Sequence, residues 1–281
     1  MIKINKIHLE FESRNKVIPN LSSVSLSHYS PVEMSEFESA FLCGLIRKYE
    51  PKKILEVGVA AGGSTAIILQ CLEDIGNKYE MHSVDVSEKY YRTRDKQTGF
   101  LADSIRKNLN SGTHKFYFGK ILPLVIDDIG RDIDFVILDT VHSLPGEILD
   151  FLVVLPYLKD NAIVCLHDVV YHQSKLKNAF GHATGLLFSA VTADKMLNFL
   201  PDEEDQYKSR YANIAAFQIN SQTMKNIYNV FLSLTLRWAY LPPQEHFNAY
   251  AEFIVKNYSQ DLNSIFIESA IMNIYSINNR S

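Results

Sequence analysis

Cysteine is scarce in this chain, with 3 in 281 residues, at Cys43, Cys71 and Cys165. Each lies inside an apolar run, which excludes a disulfide frame and points to small buried hydrophobes in a reducing compartment. Basic charge is also short: Lys and Arg number 28 against 32 Asp and Glu, a net charge of −4. With no cationic excess to neutralise phosphates, no nucleic-acid partner is expected. No apolar run approaches the roughly 18 residues of a membrane span, and residues 1–12 lack the apolar core of a signal peptide. Neither membrane association nor export is expected, and the cytoplasm is the default. What the chain has in quantity is apolar side chain, 47%, against 21% charged. That is the balance of an ordinary globular protein, long enough for one large domain or a domain with an appendage.

The stretch that organises the rest runs from Lys53 to Thr65. Ile54 to Val57 is a short apolar run containing one acid, Glu56, and is predicted to be a buried parallel strand. Small residues follow. Gly58, Gly62 and Gly63 permit positive φ and carry no Cβ, so a ligand can approach the backbone. Ser64 and Thr65 open an apolar helical run. Strand, tight turn and helix N-terminus together build a nucleotide site in a doubly wound sheet. Gly58, Ala60 and Gly63 loosely satisfy a dinucleotide fingerprint. Glu56, two residues before the first glycine, would repel a pyrophosphate and suits a cationic ligand. A helix-capping role for Glu56 without any ligand is the alternative.

Further strands are predicted at 79–86, 115–118, 134–138, 161–168 and 213–219, with helices between them. Asp85 ends the first of these, where a carboxylate can accept from both ribose hydroxyls; a simple turn acid is the other reading. Asp139 and Asp168 end two neighbouring strands on one rim, joined by His142, His167 and His172. Titratable groups gathered at the carboxyl edge of a sheet are not needed by a core and mark a candidate site. A helix is predicted from Val32 to Pro51, another from 100 to 110, and helical character around 186–200. Residues 1–30 read as an irregular arm, and 87–99 as a solvated connection. The tail carries three apolar helical seams, Met224 to Trp238, Phe247 to Ile254 and Leu262 to Met272, which read as packing on the domain or on a second subunit.

Glu56-x-Gly58-x-x-x-Gly62-Gly63-Ser64 resembles the first motif of class I S-adenosylmethionine methyltransferases, closest to small-molecule O-methyltransferases. Asp139-x-x-His142-Ser143 resembles a segment of bacterial enzymes of that kind acting on sugars. The resemblance covers residues 32–220 and implies an α/β fold: a doubly wound, mostly parallel, seven-stranded Rossmann-like sheet. Residues 1–31 would then be an arm and 221–281 a helical extension serving packing or dimerisation. It implies S-adenosylmethionine as cofactor, held by Glu56, Gly58, Ala60, Gly62, Ser64, Asp85, Val86, Gly119 and Asp139, and O-methylation of a small polar acceptor such as a sugar or natural product. His142, Asp139 and His167 are the candidate catalytic residues, since histidine has the pKa of a general base. In catechol-type relatives a magnesium ion is held at these strand ends, so Asp139 and Asp168 are candidate metal ligands. A methyltransferase-like scaffold without turnover and a nicotinamide oxidoreductase are the alternatives; a homodimer through the tail is a further expectation.

Overall fold

The computed structural model describes residues 4–22, 32–170, 182–199 and 211–278. The expectations at Ser30-Pro31, His172, Gly181 and 202–210 lie outside the described residues. In chain order the strands are β1 Ile4–Asn5, β2 Lys53–Val57, β3 Tyr79–Asp85, β4 Gly112–Phe118, β5 Ile133–Leu138, β6 Leu158–His167, β7 Asp194–Phe199 and β8 Tyr211–Gln218. The helices are α1 Glu12–Ser22, α2 Glu36–Tyr49, α3 Gly63–Ile75, α4 Asp103–Arg106, α5 Ile126–Ile129, α6 Gly146–Val154, α7 Ala183–Ala190, α8 Ser221–Lys225, α9 Tyr228–Ser233, α10 Gln244–Asn257 and α11 Gln260–Asn278. The sheet runs β1-β7-β8-β6-β5-β2-β3-β4. β8 is antiparallel to both β6 and β7, and every other pairing is parallel. This is the doubly wound, mostly parallel sheet expected from the sequence, with β1 added as an eighth, two-residue strand at one edge.

Alternation along each strand sorts the two layers. Ile54, Phe135, Ile137, Ile163 and Cys165 face α1, α2 and α3. Leu55, Val57, Val136, Leu138, Val164 and Leu166 face α6 and the C-terminal helices. Chain order reverses between β5 and β2, which places the ligand crevice of an open α/β sheet at the carboxyl ends of these two strands. α2 starts on a capping box: Glu38 N–H donates to Ser35 Oγ, and Ser35 N–H donates to the Glu38 carboxylate.

Two expectations change. The arm is ordered over 4–22, where Val17 and Leu21 are buried and Ser13 Oγ donates to Asp74 Oδ2 at 2.8 Å. Its Asn, Ser and Pro19 content hides the helix from local reading, and docking on α3 supplies what propensity does not. The 186–200 segment is helix only to Ala190; Asp194 to Phe199 is β7, paired to β1 on one side and β8 on the other. Short apolar runs do not separate strand from buried helix by periodicity alone.

The tail folds onto the α6 layer. Trp238, Phe253, Ile254 and Phe266 are buried in the same core as the sheet. Tyr258 Oη donates to Leu152 O at 2.6 Å, and Ala239 N–H donates to Leu144 O at 3.0 Å. No helix among the described residues is long and apolar enough to cross a membrane.

Candidate active site

The site is built on the turn after β2. Gly58 has φ +95°, and a Cβ there would sit 1.8 Å from Asp139 O. Its glycine is demanded by the β5 backbone rather than by a ligand. Gly62, at φ +88°, caps α3 with its Cβ direction closed by the Gly99 backbone at 2.8 Å. The N-terminus of α3 therefore opens beside this turn without a side-chain cap. Asp85, at the end of β3, fastens the turn: Oδ2 accepts from Val59 N–H at 2.9 Å and Ala60 N–H at 3.0 Å, and Oδ1 accepts from Ser87 N–H at 2.8 Å. Gly58, Ala60, Ser64, Asp85, Val86, Asp139 and His142 all line one cavity of about 490 Å³.

Glu56 does not. It is fully buried on the α3 face of β2, where its carboxylate accepts from Ser83 Oγ at 2.6 Å, Thr65 Oγ1 at 2.8 Å and Ser64 Oγ at 3.1 Å. The expected contact with a cationic ligand is thus corrected: strand alternation turns residue 56 beneath the helix start, and the carboxylate organises the turn from below. Burial, with Asp139 adding to it, pushes this carboxyl up to about 7 against the pull of the three hydroxyls. A raised folded-state pKa means stability that is complete below the ordinary glutamate value and lost as pH rises through about 7. Glu56→Gln is therefore expected to gain on the wild type by about 3 kcal/mol between pH 5 and pH 8. Urea denaturation at the two pH values checks it, and a difference independent of pH would refute it. Gly62 and Gly119 also lie outside the cavity lining. Gly119, at φ +64°, makes the turn after β4, with Glu88 against it.

At the ends of β5 and β6 the acids and imidazoles do converge. His142 Nε2 is 3.0 Å from Asp168 Oδ2 and 3.8 Å from Asp139 Oδ1, and its Nδ1 is 3.3 Å from Glu147 Oε1. Glu147, fully buried at the start of α6, also accepts from His142 N–H. Burial alone would lower the His142 pKa; Glu147, Asp168 and Asp139 overcome it and raise it to about 9. His167 lies below the cavity, 5% exposed, with Nδ1 3.0 Å from Asp139 Oδ1 and Nε2 3.6 Å from Glu38 Oε2. Despite burial, Asp139, Asp168 and Glu38 hold it well above the usual histidine range. His167, expected as a catalytic residue, lies outside the cavity lining, among Asp139, Asp168 and Glu38.

Residues 55–169 match the family model described as a methyltransferase domain. An O-methyltransferase from Bacillus cereus, solved in complex with SAH, superposes with a TM-score of 0.50 at 16% identity, over 75% of this chain and 92% of its own. TomG, an O-methyltransferase from Streptomyces achromogenes involved in tomaymycin synthesis and solved with SAM, gives 0.47 at 18% identity over 76% and 92%. The SAH-bound methyltransferase PaMTH1 from Podospora anserina gives 0.48 at 13% identity over 76% and 89%. Comparison with curated proteins returned no match. Residues 55–169 are thus similar to a methyltransferase domain, and the sheet has the fold seen in the Bacillus cereus enzyme.

Within this matched segment, Asp139, His142 and Asp168 offer donor atoms within 4.8 Å of one another. They do not fit magnesium. That ion takes hard oxygens, and here the third donor is an imidazole nitrogen lying between the two carboxylates. Asp168 is further engaged by the Asn213 amide, and Asp139 by His167. The set is arranged around a protonated imidazole.

The wall of the cavity that sequence reasoning missed comes from distant segments. Tyr91 lines it from the 87–99 connection, which is not loose: Glu33 accepts from Tyr90 Oη at 2.9 Å, Tyr91 Oη at 2.7 Å and Arg92 Nε at 2.9 Å. Lys120, Ile121 and Leu122 line it after β4, and Thr140, Val141 and Asp150 after β5. Tyr240, Pro242, Pro243, His246 and Tyr250 line it from the C-terminal extension. Nothing local marks those tail residues as site-forming.

Proposed function

We propose that this chain transfers the methyl group of S-adenosylmethionine to a hydroxyl of a small polar acceptor. The observation that carries the reading is the single cavity onto which the glycine turn, Asp85, Asp139 and His142 open together. S-adenosylhomocysteine, bound in the Bacillus cereus structure, is the product of that reaction. Asp85, facing the cavity at the end of β3, takes a ribose hydroxyl on Oδ1, beside the bond accepted there from Ser87 N–H. Asp139 faces the methionine end, where a carboxylate favours the ammonium and sulfonium. The acceptor oxygen attacks the methyl carbon in line, the carbon–sulfur bond breaks with its electron pair going to sulfur, and the acceptor proton passes to His142. Positioning supplies most of the rate because the leaving group is good. His142 serves as base only in its neutral form, and Asp168 and Glu147 hold the ring in place.

Calorimetry tests the cofactor half. S-adenosylmethionine should bind the wild type, and Asp85→Ala should weaken binding roughly 10- to 100-fold, the worth of one or two charge-assisted hydrogen bonds. Absence of binding heat and of competition by S-adenosylhomocysteine would refute the reading. Since the donor set suits a proton rather than magnesium, methyl transfer should also survive exhaustive EDTA treatment with its rate within about twofold. Loss of activity restored by added Mg²⁺ would show the cluster to be a metal site.

A further inference from the structure

Away from the cavity, three elements meet at a pair of thiols. Cys43 on α2 and Cys71 on α3 are both fully buried. Their sulfur atoms and a Glu10 carboxylate oxygen all lie within 4.8 Å of one another. Glu10 belongs to the arm, which is strapped to α2 at this point. Glu10 N–H donates to Ala40 O at 3.0 Å, and a Cβ at Gly44 would lie 2.0 Å from His8 O. Gly44 is thus what lets the arm run close enough for Glu10 to reach the cysteines. The carboxylate is held through one oxygen only. Oε1 accepts from Glu12 N–H at 2.8 Å and Ser13 N–H at 3.2 Å at the start of α1. Oε2 is buried without a hydrogen bond; Arg47 Nε, 3.8 Å away, offsets its charge without donating to it. A buried acceptor left in that state costs free energy that a bound cation would recover. The thiols are held as lightly, Cys71 Sγ donating to Cys43 O at 3.7 Å.

We propose that Cys43, Cys71 and Glu10 form a site for a soft metal ion, copper(I), separate from the cavity and independent of the methyl-transfer reading. Thiolates select soft ions, copper(I) and zinc among them, over magnesium and calcium. Coordination number decides between the two. Structural zinc takes four ligands, and this cluster offers three. The guanidinium beside it has no lone pair to give, and both cysteines are out of reach of water that could fill a fourth place. Copper(I) is commonly held by a pair of thiolates alone, with the Glu10 oxygen here as a third donor. On binding, each thiol loses its proton to solvent and forms one copper–sulfur bond, with no change in oxidation state. The ion would join the arm to α2 and α3 through side chains that packing alone does not require.

The test uses the reduced full chain without oxygen, with a chromogenic copper(I) chelator as competitor. The wild type should withdraw one copper(I) per chain. Cys43→Ala and Cys71→Ala should each weaken binding by more than the roughly 100-fold that loss of an outer-sphere partner can cost, and Glu10→Gln by about 10-fold. Cys165→Ala is the control: its thiol is buried on β6 outside the group, and it should bind as the wild type does. Copper K-edge absorption of the loaded wild type should show a pair of sulfur neighbours, a readout that needs no variant to fold. Failure of the reduced wild type to take copper from the chelator would overturn the proposal. So would copper retained by both cysteine variants, or a single sulfur neighbour. Zinc bound as tightly as copper(I), and four-coordinate, would overturn the choice of ion.

Discussion

Replacing His142 with alanine is expected to lower the rate of methyl transfer by 10²- to 10⁴-fold, on the order of what a general base contributes, while leaving the affinity for S-adenosylhomocysteine within about threefold. The split follows from position. His142 lines the cavity beside Asp139 and Asp168, whereas the glycine turn and Asp85, to which we assign the cofactor, are unaffected. A His142→Gln variant, which keeps a polar side chain between the two carboxylates, guards against misreading a packing defect as a chemical one. The pH dependence carries the same signature. The imidazole accepts a proton only once it has lost its own, so kcat/KM in the wild type should climb with pH and level off above about 9. Stability runs the other way. A histidine raised in the folded state stabilises fully below its ordinary value near 6.5, and that contribution disappears as pH rises through about 9. Between those limits the protein should gain activity as it loses stability. A His142→Ala enzyme as active as the wild type, or a rate that falls from pH 7 to 9, would remove His142 from the chemistry.

Gly58→Ala should cost on the order of 4 kcal/mol or more of folding free energy, among the largest effects of a single methyl group anywhere in the chain. Two penalties combine. The residue sits at φ +95°, and the new Cβ would lie 1.8 Å from Asp139 O, with the carbonyl carbon at 2.6 Å. Neither atom can move without separating β2 from β5, whose backbones are joined here by Asp139 N–H donating to Val57 O at 2.9 Å. Gly76 supplies the control. It has φ +78° as the C-cap of α3, and a Cβ there meets nothing within 4 Å. Gly76→Ala should therefore cost only about 1 kcal/mol, the price of the left-handed conformation alone. Urea unfolding of the two variants separates clash from conformation. Equal, small losses at both sites would mean that the β2 turn tolerates a side chain.

Much of the parallel core was legible because its strands announce themselves. Ile54 to Val57 and Ile133 to Leu138 are short apolar runs, buried on both faces, closed by glycine or acid. A central parallel strand needs that composition and little else uses it. The acids at strand ends were legible for the same reason: Asp85 and Asp139 stand one step past the last apolar residue and Asp168 two, at the carboxyl rim of the sheet. Direction was harder. Glu56 was placed correctly in the strand, yet its side chain faces α3 and three hydroxyls instead of the cavity. A period of two decides such a matter only once the layer on each side is known. His167 illustrates the same gap, since its burial beneath Asp139 depends on Glu38 arriving from α2.

What the sequence determined by itself was the order of strand, turn and helix and the chemical character of the strand ends. These depend on neighbours within a few residues, where periodicity and steric limits act. Only the tertiary structure decided which side chains reach the cavity and what surrounds them. Tyr240, His246 and Tyr250 lie some 100 residues from the strands they cover, with Tyr250 donating to Asp150 across a separation of 100 positions. The imidazoles owe their shifted pKa values to carboxylates brought in by other elements. Burial and proximity in space are products of the whole chain's packing, and no local pattern encodes them.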